Sequence, residues 1–203
     1  MNFYLSSQGV GNEEQKLKNM TKNSSKQVAL INNAMDFMTD MDEKSHIDAS
    51  EASELERLGF TVDNVDLKQY FNNREALENT LAQYDVIWVR GGNTFILAQA
   101  IALSGFDDVV RTFYKDNKNI LYGGYSAGIC MLGPTLEGLH LVDDPNQKPY
   151  GEDYATVWDG LNILDYTIIP HYQSNVPDQT VTYMTNHNIP FKTLKDGEVI
   201  IIE

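Results

Sequence analysis

Short apolar segments alternate with longer segments of mixed polarity along most of this chain. The apolar segments have the length of buried strands, and they predict strands at residues 3–6, 27–32, 60–65, 86–89, 119–123, 166–170 and 199–202. The longer segments place apolar residues at helical spacing, and they predict helices at residues 44–58, 73–84, 94–103 and 107–117. This alternation favours βαβ units, in which a mostly parallel sheet is flanked by helices on both faces.

The pattern changes after residue 133, where a segment rich in Gly, Pro and Asp begins. Residues 133–160 are therefore expected to form an irregular excursion. The chain has 203 residues, which is enough for one α/β domain with a substantial core and too few for two ordinary domains. No internal repeat, low-complexity segment or linker interrupts it, so residues 1–203 are interpreted as a single three-layer α/β domain.

The net charge limits the expected binding partners, and the single cysteine limits the expected cross-links and location. The formal net charge is −14, so nucleic acids and anionic membranes, which bind clustered Lys and Arg, are not expected partners. Cys130 is the only cysteine, which excludes a disulfide framework and favours a cytoplasmic location. Residues 1–9 predict a first strand and not a signal peptide, and no apolar segment approaches the ~18 residues of a membrane span.

A Gly-x-Ser-x-Gly pattern occupies residues 124–128, between a predicted strand and a short run compatible with a helix. This order of strand, tight turn and helix is typical of a nucleophile elbow, in which flanking glycines permit close packing and the serine hydroxyl is exposed. The pentapeptide by itself is weak evidence, because about one chain of this length in fifteen contains one by chance. The strand and the helix beside it strengthen the interpretation, and Ser126 is the candidate nucleophile.

A serine nucleophile needs a base, and the chain contains four histidines. His171 follows the apolar run at 166–170, which places it just beyond the carboxyl end of a strand, where open α/β sheets build their sites. It also follows Ser126 in the chain, as the base does in enzymes with a nucleophile elbow. The other three histidines lie in a polar helix, in an apolar stretch and in a polar loop, so His171 is the candidate base.

The carboxylate that orients such a base is expected between Ser126 and His171, in the chain order serine, acid, histidine. Glu137, Asp143 and Asp144 are the candidates in that interval. Asp143 and Asp144 also begin an Asp-Asp-Pro-Asn sequence that is typical of an ordinary turn, and Glu137 is equally compatible with a solvated strand. The sequence does not choose among the three.

Backbone N–H groups that stabilise an oxyanion are expected at two places. The N–H of Ala127, directly after the candidate nucleophile, is one donor. The second is expected at Gly92, because the Gly-Gly-Asn-Thr sequence at 91–94 follows a predicted strand and opens a predicted helix. A phosphate-binding loop is the rival interpretation, but neither common glycine-rich nucleotide motif is present. No His-x-x-x-His or cysteine pair supports a metal site, and no cofactor is expected.

Four segments of the chain together resemble the serine peptidases that include aspartyl dipeptidase (peptidase E) and cyanophycinase. The segments are Phe3-Tyr4-Leu5-Ser6-Ser7-Gln8-Gly9, Gly91-Gly92-Asn93-Thr94-Phe95, Gly124-Tyr125-Ser126-Ala127-Gly128 and Ile169-Pro170-His171-Tyr172. The resemblance implies a fold similar to class I glutamine amidotransferase domains. It also implies that Ser126 is the nucleophile and His171 the base, with a carboxylate that completes the triad.

The resemblance predicts the substrate less directly than it predicts the fold and the candidate triad. Peptidase E releases N-terminal aspartate from dipeptides, and this preference is associated with an arginine downstream of the catalytic histidine. Residues 172–203 contain no arginine, so the basis for that preference is missing here. Arg90 and Asn93 are the candidate substrate-binding residues, because a guanidinium beside the expected oxyanion donors would bind a carboxylate. The alternative is that Arg90 pairs with an acidic residue of the protein.

The sequence therefore predicts a cytoplasmic serine exopeptidase that acts on dipeptides or short peptides, with N-terminal Asp as one option. The expected partner is a small peptide substrate, and the expected assembly is a monomer or a homodimer. Two alternatives remain open: an esterase or amidase that uses the same residues, and a non-catalytic protein that binds a small ligand in the same crevice.

Overall fold

The computed structural model describes residues 1–151, 153–174 and 178–203, and it contains a strand wherever the sequence pattern predicts one. The strands are β1 (Asn2–Ser6), β2 (Gln27–Ile31), β3 (Thr61–Asn64), β4 (Val86–Val89), β5 (Leu121–Tyr125), β6 (Thr167–Ile169), β7 (Phe191–Thr193) and β8 (Val199–Ile202). The helices are α1 (Glu14–Met20), α2 (Met41–Arg57), α3 (Arg74–Leu81), α4 (Thr94–Ser104), α5 (Phe106–Lys115), α6 (Ala127–Cys130) and α7 (Gln179–Asn186).

Six of these strands form one sheet, in the order β3-β2-β4-β5-β1-β8. The first five strands of that order are parallel to their neighbours, and β8 pairs antiparallel with β1 at one edge. β6 and β7 form a separate parallel pair. The mostly parallel α/β arrangement expected from the hydrophobic pattern is therefore confirmed.

Alternate residues of the inner strands pack on opposite faces of this sheet. In β4, Ile87 and Val89 belong to the larger buried cluster, whereas Val86 and Trp88 belong to the smaller one. The larger cluster includes apolar side chains of α3, α4 and α5, and the smaller cluster includes those of α1 and α2. Burial of a strand on both faces explains why these strands appear in the sequence as continuous apolar segments.

Side-chain caps determine where several helices begin. Asn73 accepts a hydrogen bond from the Ala76 N–H at the start of α3, as its position in the sequence predicts. Asp40 caps α2 in the same way, so this helix begins a few residues before the predicted residue 44. Gly105 ends α4 with a φ of +73°, and this left-handed conformation lets the chain turn directly into α5.

The segment after α6 is irregular, as its composition predicts. It contains a single-turn 3₁₀ helix at Leu139–Leu141 and a β-bridge between Thr135 and Asp159, while residue 152 lies outside the described residues. The sequence pattern does not predict α7 or β7, because both elements are short and β7 is only partly buried. Within the described ranges, no helix is long and apolar enough to cross a membrane.

Candidate active site

The carboxyl ends of β1, β4, β5 and β6 surround a cavity of about 610 Å³. Gln8 after β1, Gly91 after β4, Ser126 after β5 and His171 after β6 all line this cavity. The carboxyl ends of β1, β4 and β5 lie at one edge of the six-stranded sheet, and β6 of the separate pair brings His171 to the same cavity. The volume lies within the range of roughly 300–1,000 Å³ that is typical of small-ligand sites.

Ser126 stands at the sharp turn between β5 and α6, with φ +50° and ψ −119°. This backbone conformation is rare for a residue with a side chain, and it costs about 1–3 kcal/mol. Close approach of glycines makes the turn possible. A Cβ on Gly124 or Gly128 would overlap the Val89 carbonyl oxygen, and a Cβ on Gly91 would lie 2.8 Å from Ser126 Cβ. The sequence motif therefore has the backbone geometry of a nucleophile elbow.

The substitution Gly128→Ala is expected to lower the free energy of unfolding by about 3 kcal/mol, because its methyl group would overlap the backbone of β4. Gly59→Ala is the control. The nearest atom to its Cβ would be 3.7 Å away, and only its φ of +91° costs energy, about 1 kcal/mol. Denaturant unfolding of both variants measures the difference, and equal losses would contradict the steric argument.

Three side chains form a continuous chain of hydrogen bonds beside the cavity. His171 Nε2 lies 3.1 Å from Ser126 Oγ, and His171 Nδ1 lies 2.7 Å from Asp196 Oδ1. An ionised carboxylate only accepts hydrogen bonds, so Nδ1 of the neutral ring carries the proton and Nε2 is the acceptor for the serine hydroxyl. This is the arrangement of nucleophile, base and orienting carboxylate that acyl transfer uses.

The carboxylate at His171 is not one of the three expected from the sequence. Asp196 follows the histidine by 25 residues and lies in the connection between β7 and β8. Glu137 is exposed, and Asp144 accepts hydrogen bonds within the turn that its sequence favours. The expected order, with the acid between Ser126 and His171, does not hold. Because β7 pairs with β6 and β8 pairs with β1, their connection crosses the carboxyl ends of both strands.

Asp143, the remaining expected acid, lines the cavity but binds the start of α4 and not His171. Its Oδ2 accepts hydrogen bonds from the Thr94 N–H at 2.9 Å and from the Thr94 hydroxyl at 2.6 Å. A carboxylate at this place satisfies an N–H that has no partner inside the helix. Asp143 therefore ties the irregular segment to the wall of the cavity.

Asn93, an expected substrate-binding residue, is engaged within the protein at both ends of its amide. Its Oδ1 accepts hydrogen bonds from the N–H groups of Phe95 and Ile96, which caps α4. Its Nδ2 donates to the Asp144 carbonyl and to the Gln147 side chain. The geometry therefore assigns Asn93 a capping role and leaves little of its amide for a substrate.

Arg90 lines the cavity with a side chain that is mostly buried. Its Nε lies 3.5 Å from Glu51 Oε2, in agreement with the alternative that Arg90 pairs with an acidic residue. Glu51 also accepts hydrogen bonds from Trp88 Nε1 at 3.0 Å and from the Tyr125 hydroxyl at 2.8 Å, and burial raises the pKa of its carboxyl group. Among the described residues, Arg90 Nε and Nη1 are buried and have no hydrogen-bond partner.

The two expected oxyanion donors flank the elbow. Gly92 lines the cavity with a φ of +147°, and a Cβ there would lie 2.5 Å from the Ala34 carbonyl oxygen, so a side chain is excluded. Ala127 is the first residue of α6, and its N–H therefore has no acceptor inside that helix. Donation by these two N–H groups to an oxyanion stays a prediction.

The other histidines and the cysteine occupy structural positions. His140 packs against aromatic side chains, His187 ends α7 and His46 is exposed on α2. Cys130 is buried, and burial raises the pKa of its thiol, which fits a packing role. In the part of the chain that the structure describes, no group of three or more His, Cys, Asp or Glu side chains could hold a metal ion.

Two residues of this site, Asp196 and Ser7, are not predicted from the sequence. Ser7 Oγ lies 2.9 Å from Asp196 Oδ1 and accepts a hydrogen bond from the His171 N–H at 2.8 Å. A weak signal for Asp196 exists, since an Asp-Gly pair ends one residue before the last strand, but the same pair is typical of an ordinary turn. No local pattern marks Ser7 as different from Ser6.

The chain is similar to several known proteins. The model of the family described as Peptidase family S51 matches residues 5–203. An uncharacterized peptidase of Listeria innocua is 33% identical over 128 residues, which are 63% of this chain and 57% of the relative, less than two thirds of its length. An uncharacterized peptidase of Pasteurella multocida is 25% identical over 186 residues, which are 83% of this chain and 86% of the relative.

Two solved structures share the arrangement of strands and helices. A Listeria monocytogenes protein described as a candidate peptidase E has a TM-score of 0.73 and 22% identity, and the match covers 98% of this chain and 96% of that one. A peptidase from an acI-B1 Actinobacterium has a TM-score of 0.69 and 13% identity, with 98% and 82% covered. At these identities the likeness establishes the fold alone.

Proposed function

The chain belongs to peptidase family S51, and we propose that it is a serine peptidase that acts on dipeptides or short peptides. The family membership confirms the resemblance drawn from the sequence motifs. The observation that carries the proposal is the chain of hydrogen bonds from Ser126 through His171 to Asp196 at the edge of the cavity.

Acylation would begin at the serine hydroxyl. Ser126 Oγ attacks the carbonyl carbon of the scissile peptide bond, and its proton passes to His171 Nε2, 3.1 Å away. Asp196 holds the Nδ1 proton and stabilises the imidazolium that forms, without taking the proton itself. His171 then gives its proton to the leaving nitrogen, the C–N bond breaks, and an acyl-enzyme on Ser126 remains.

The negative charge of the tetrahedral intermediate needs donors that are fixed before the reaction begins. The N–H groups of Gly92 and Ala127 are the donors proposed for this oxyanion, because the Gly92 backbone packs closely against Ala34 and the Ala127 N–H has no acceptor inside α6. Deacylation repeats the steps with water as the nucleophile and His171 as its base. The products are the two fragments on either side of the cleaved bond, and Ser126 and His171 return to their initial protonation states.

The position of Arg90 on the cavity wall favours a substrate that presents a carboxylate close to the scissile bond. In a dipeptide or a short peptide, this group is the C-terminal carboxylate or an acidic side chain such as that of N-terminal Asp. Arg90 lines the cavity, and a guanidinium there would bind such a group through charge-assisted hydrogen bonds. With a net charge of −14, the protein would otherwise repel an acidic substrate, so a local cation matters.

The substitution Arg90→Gln is expected to raise KM by about 10- to 100-fold for peptides with a carboxylate at this place, since a charged hydrogen bond contributes about 1.5–3 kcal/mol. For peptides in which that carboxylate is amidated, KM should change much less. Lys192→Gln is the control, because it removes the same charge from a side chain that packs over Tyr166. Steady-state kinetics with matched acid and amide substrates measure the effect, and equal changes for both would exclude the contact.

A panel of substrates tests the proposed activity directly. The wild-type protein is incubated with neutral and acidic dipeptides, longer peptides and p-nitrophenyl esters, and the products are identified by mass spectrometry. Release of free amino acids from the dipeptides is the expected result. Hydrolysis of the esters alone would indicate an esterase, and no turnover of any substrate would favour a ligand-binding protein.

A further inference from the structure

Ser7 is a buried residue at the centre of the contacts that hold the candidate triad together. It directly follows β1 and is fully inaccessible to solvent. Its Oγ accepts a hydrogen bond from the His171 N–H at 2.8 Å and lies 2.9 Å from Asp196 Oδ1 and 3.2 Å from the Leu194 carbonyl oxygen. One hydroxyl therefore links β1 to the residues after β6 and to the connection between β7 and β8.

The single hydroxyl proton of Ser7 has two acceptors within reach. A hydroxyl donates one hydrogen bond, and bonds to ionised acceptors are shorter and stronger than bonds to neutral ones. The shorter distance is to Asp196, so the carboxylate is the main acceptor. Asp196 Oδ1 then accepts from two donors, the hydroxyl of Ser7 and Nδ1 of His171.

Asp196 needs such a restraint because it lies in a turn at the surface. Its side chain is 52% exposed, so in the absence of Ser7 the carboxylate could rotate towards water. His171 needs one too, because its φ of +57° is unfavourable for a residue with a side chain. The bond from the His171 N–H to Ser7 holds this backbone in place.

We propose that Ser7 is a positioning residue, which fixes the Asp196 carboxylate on Nδ1 of His171 so that Nε2 stays the proton acceptor for Ser126. The inference rests on the proposed function, since it assigns Ser7 a role in the same reaction. Ser7 itself is buried and is bonded to the base and the acid, so it acts through these two side chains and not on the substrate.

The substitution Ser7→Ala is expected to lower kcat by about 100-fold with little change in KM, because a misplaced base affects the chemical step more than binding. The neutral His171 ring should become a mixture of the Nδ1–H and Nε2–H tautomers, measured by its ¹⁵N chemical shifts. Ser6→Ala is the matched control. Ser6 is equally buried, but its hydroxyl donates to the Gln8 carbonyl, so both readouts should stay as in the wild type.

A double-mutant cycle separates positioning from a general structural effect. If Ser7 acts through the acid, most of the loss in kcat caused by Ser7→Ala should disappear when Asp196 is already replaced by Ala. Ser7→Thr, which keeps the hydroxyl, should restore the single tautomer. A loss of equal size in both backgrounds, or a single Nδ1–H tautomer in Ser7→Ala, would overturn the proposal.

If Ser7→Ala does not fold, Ser7→Cys keeps a similar shape with a weak donor, and it should show the same mixture of tautomers to a smaller degree. The tautomer measurement needs no turnover. A protein without peptidase activity would therefore overturn the proposed function, while the comparison of Ser7→Ala with Ser6→Ala would still decide the role of Ser7.

Discussion

Replacing Ser126 with alanine is expected to lower kcat for peptide hydrolysis on the order of 10⁴-fold or more, because no acyl-enzyme forms without Oγ. Binding of the substrate should be retained, since the cavity loses one oxygen atom. The His171–Asp196 hydrogen bond does not involve the serine, so the base should stay oriented. Initial rates together with a fluorophosphonate probe and intact mass measure the effect: the wild type should gain one adduct, and Ser126→Ala none.

Ser53→Ala is the matched control for this experiment. Ser53 lies on the exposed side of α2, where its hydroxyl donates to the Ala49 carbonyl, so both the activity and the adduct should be unchanged. Full activity in Ser126→Ala would exclude the serine as the nucleophile. If the wild type gains no adduct, a smaller acylating inhibitor follows, because a bulky probe does not enter every site.

Replacing Asp196 with asparagine is expected to lower kcat by about 10²- to 10⁴-fold. The asparagine amide can turn its N–H₂ group towards His171 Nδ1, which then becomes an acceptor and moves the ring proton to Nε2. A ring with its proton on Nε2 cannot accept the proton of Ser126. Because the Asp196 side chain is about half exposed, water can replace part of its effect, and a loss near the lower limit is compatible with the geometry.

The control for Asp196→Asn is the same substitution at Asp144, an exposed turn residue and one of the acids expected from the sequence. Asp144→Asn should change kcat by no more than about twofold, as surface substitutions usually do. Steady-state rates of both variants, with folding checked by circular dichroism, decide the assignment. A large loss of kcat in Asp144→Asn together with no loss in Asp196→Asn would instead assign the orienting carboxylate to Asp144, between the serine and the histidine in the chain.

Local patterns in the sequence are sufficient to predict the layers of the fold and two residues of the candidate site, Ser126 and His171. Strands buried on both faces require continuous apolar segments, so β1, β2, β4 and β5 are visible in the sequence. The glycines around Ser126 are needed by the turn itself. His171 directly follows an apolar run that predicts a strand, and open α/β sheets build their sites beyond the carboxyl ends of strands, although β6 itself pairs with β7 outside the six-stranded sheet. These inferences depend on contacts within a few residues or on general properties of parallel sheets.

The sequence by itself determined the α/β layers, the order of strand, tight turn and helix at Ser126, and the placement of His171 after a strand. Only the tertiary structure decided which carboxylate reaches His171, because Asp196 arrives there through the pairing of β7 with β6 and of β8 with β1. Ser7 is a further case, since 164 residues separate it from the histidine that it holds. Such contacts are made between segments that are distant along the chain, and the local hydrophobic periodicity does not depend on them, so it cannot predict them.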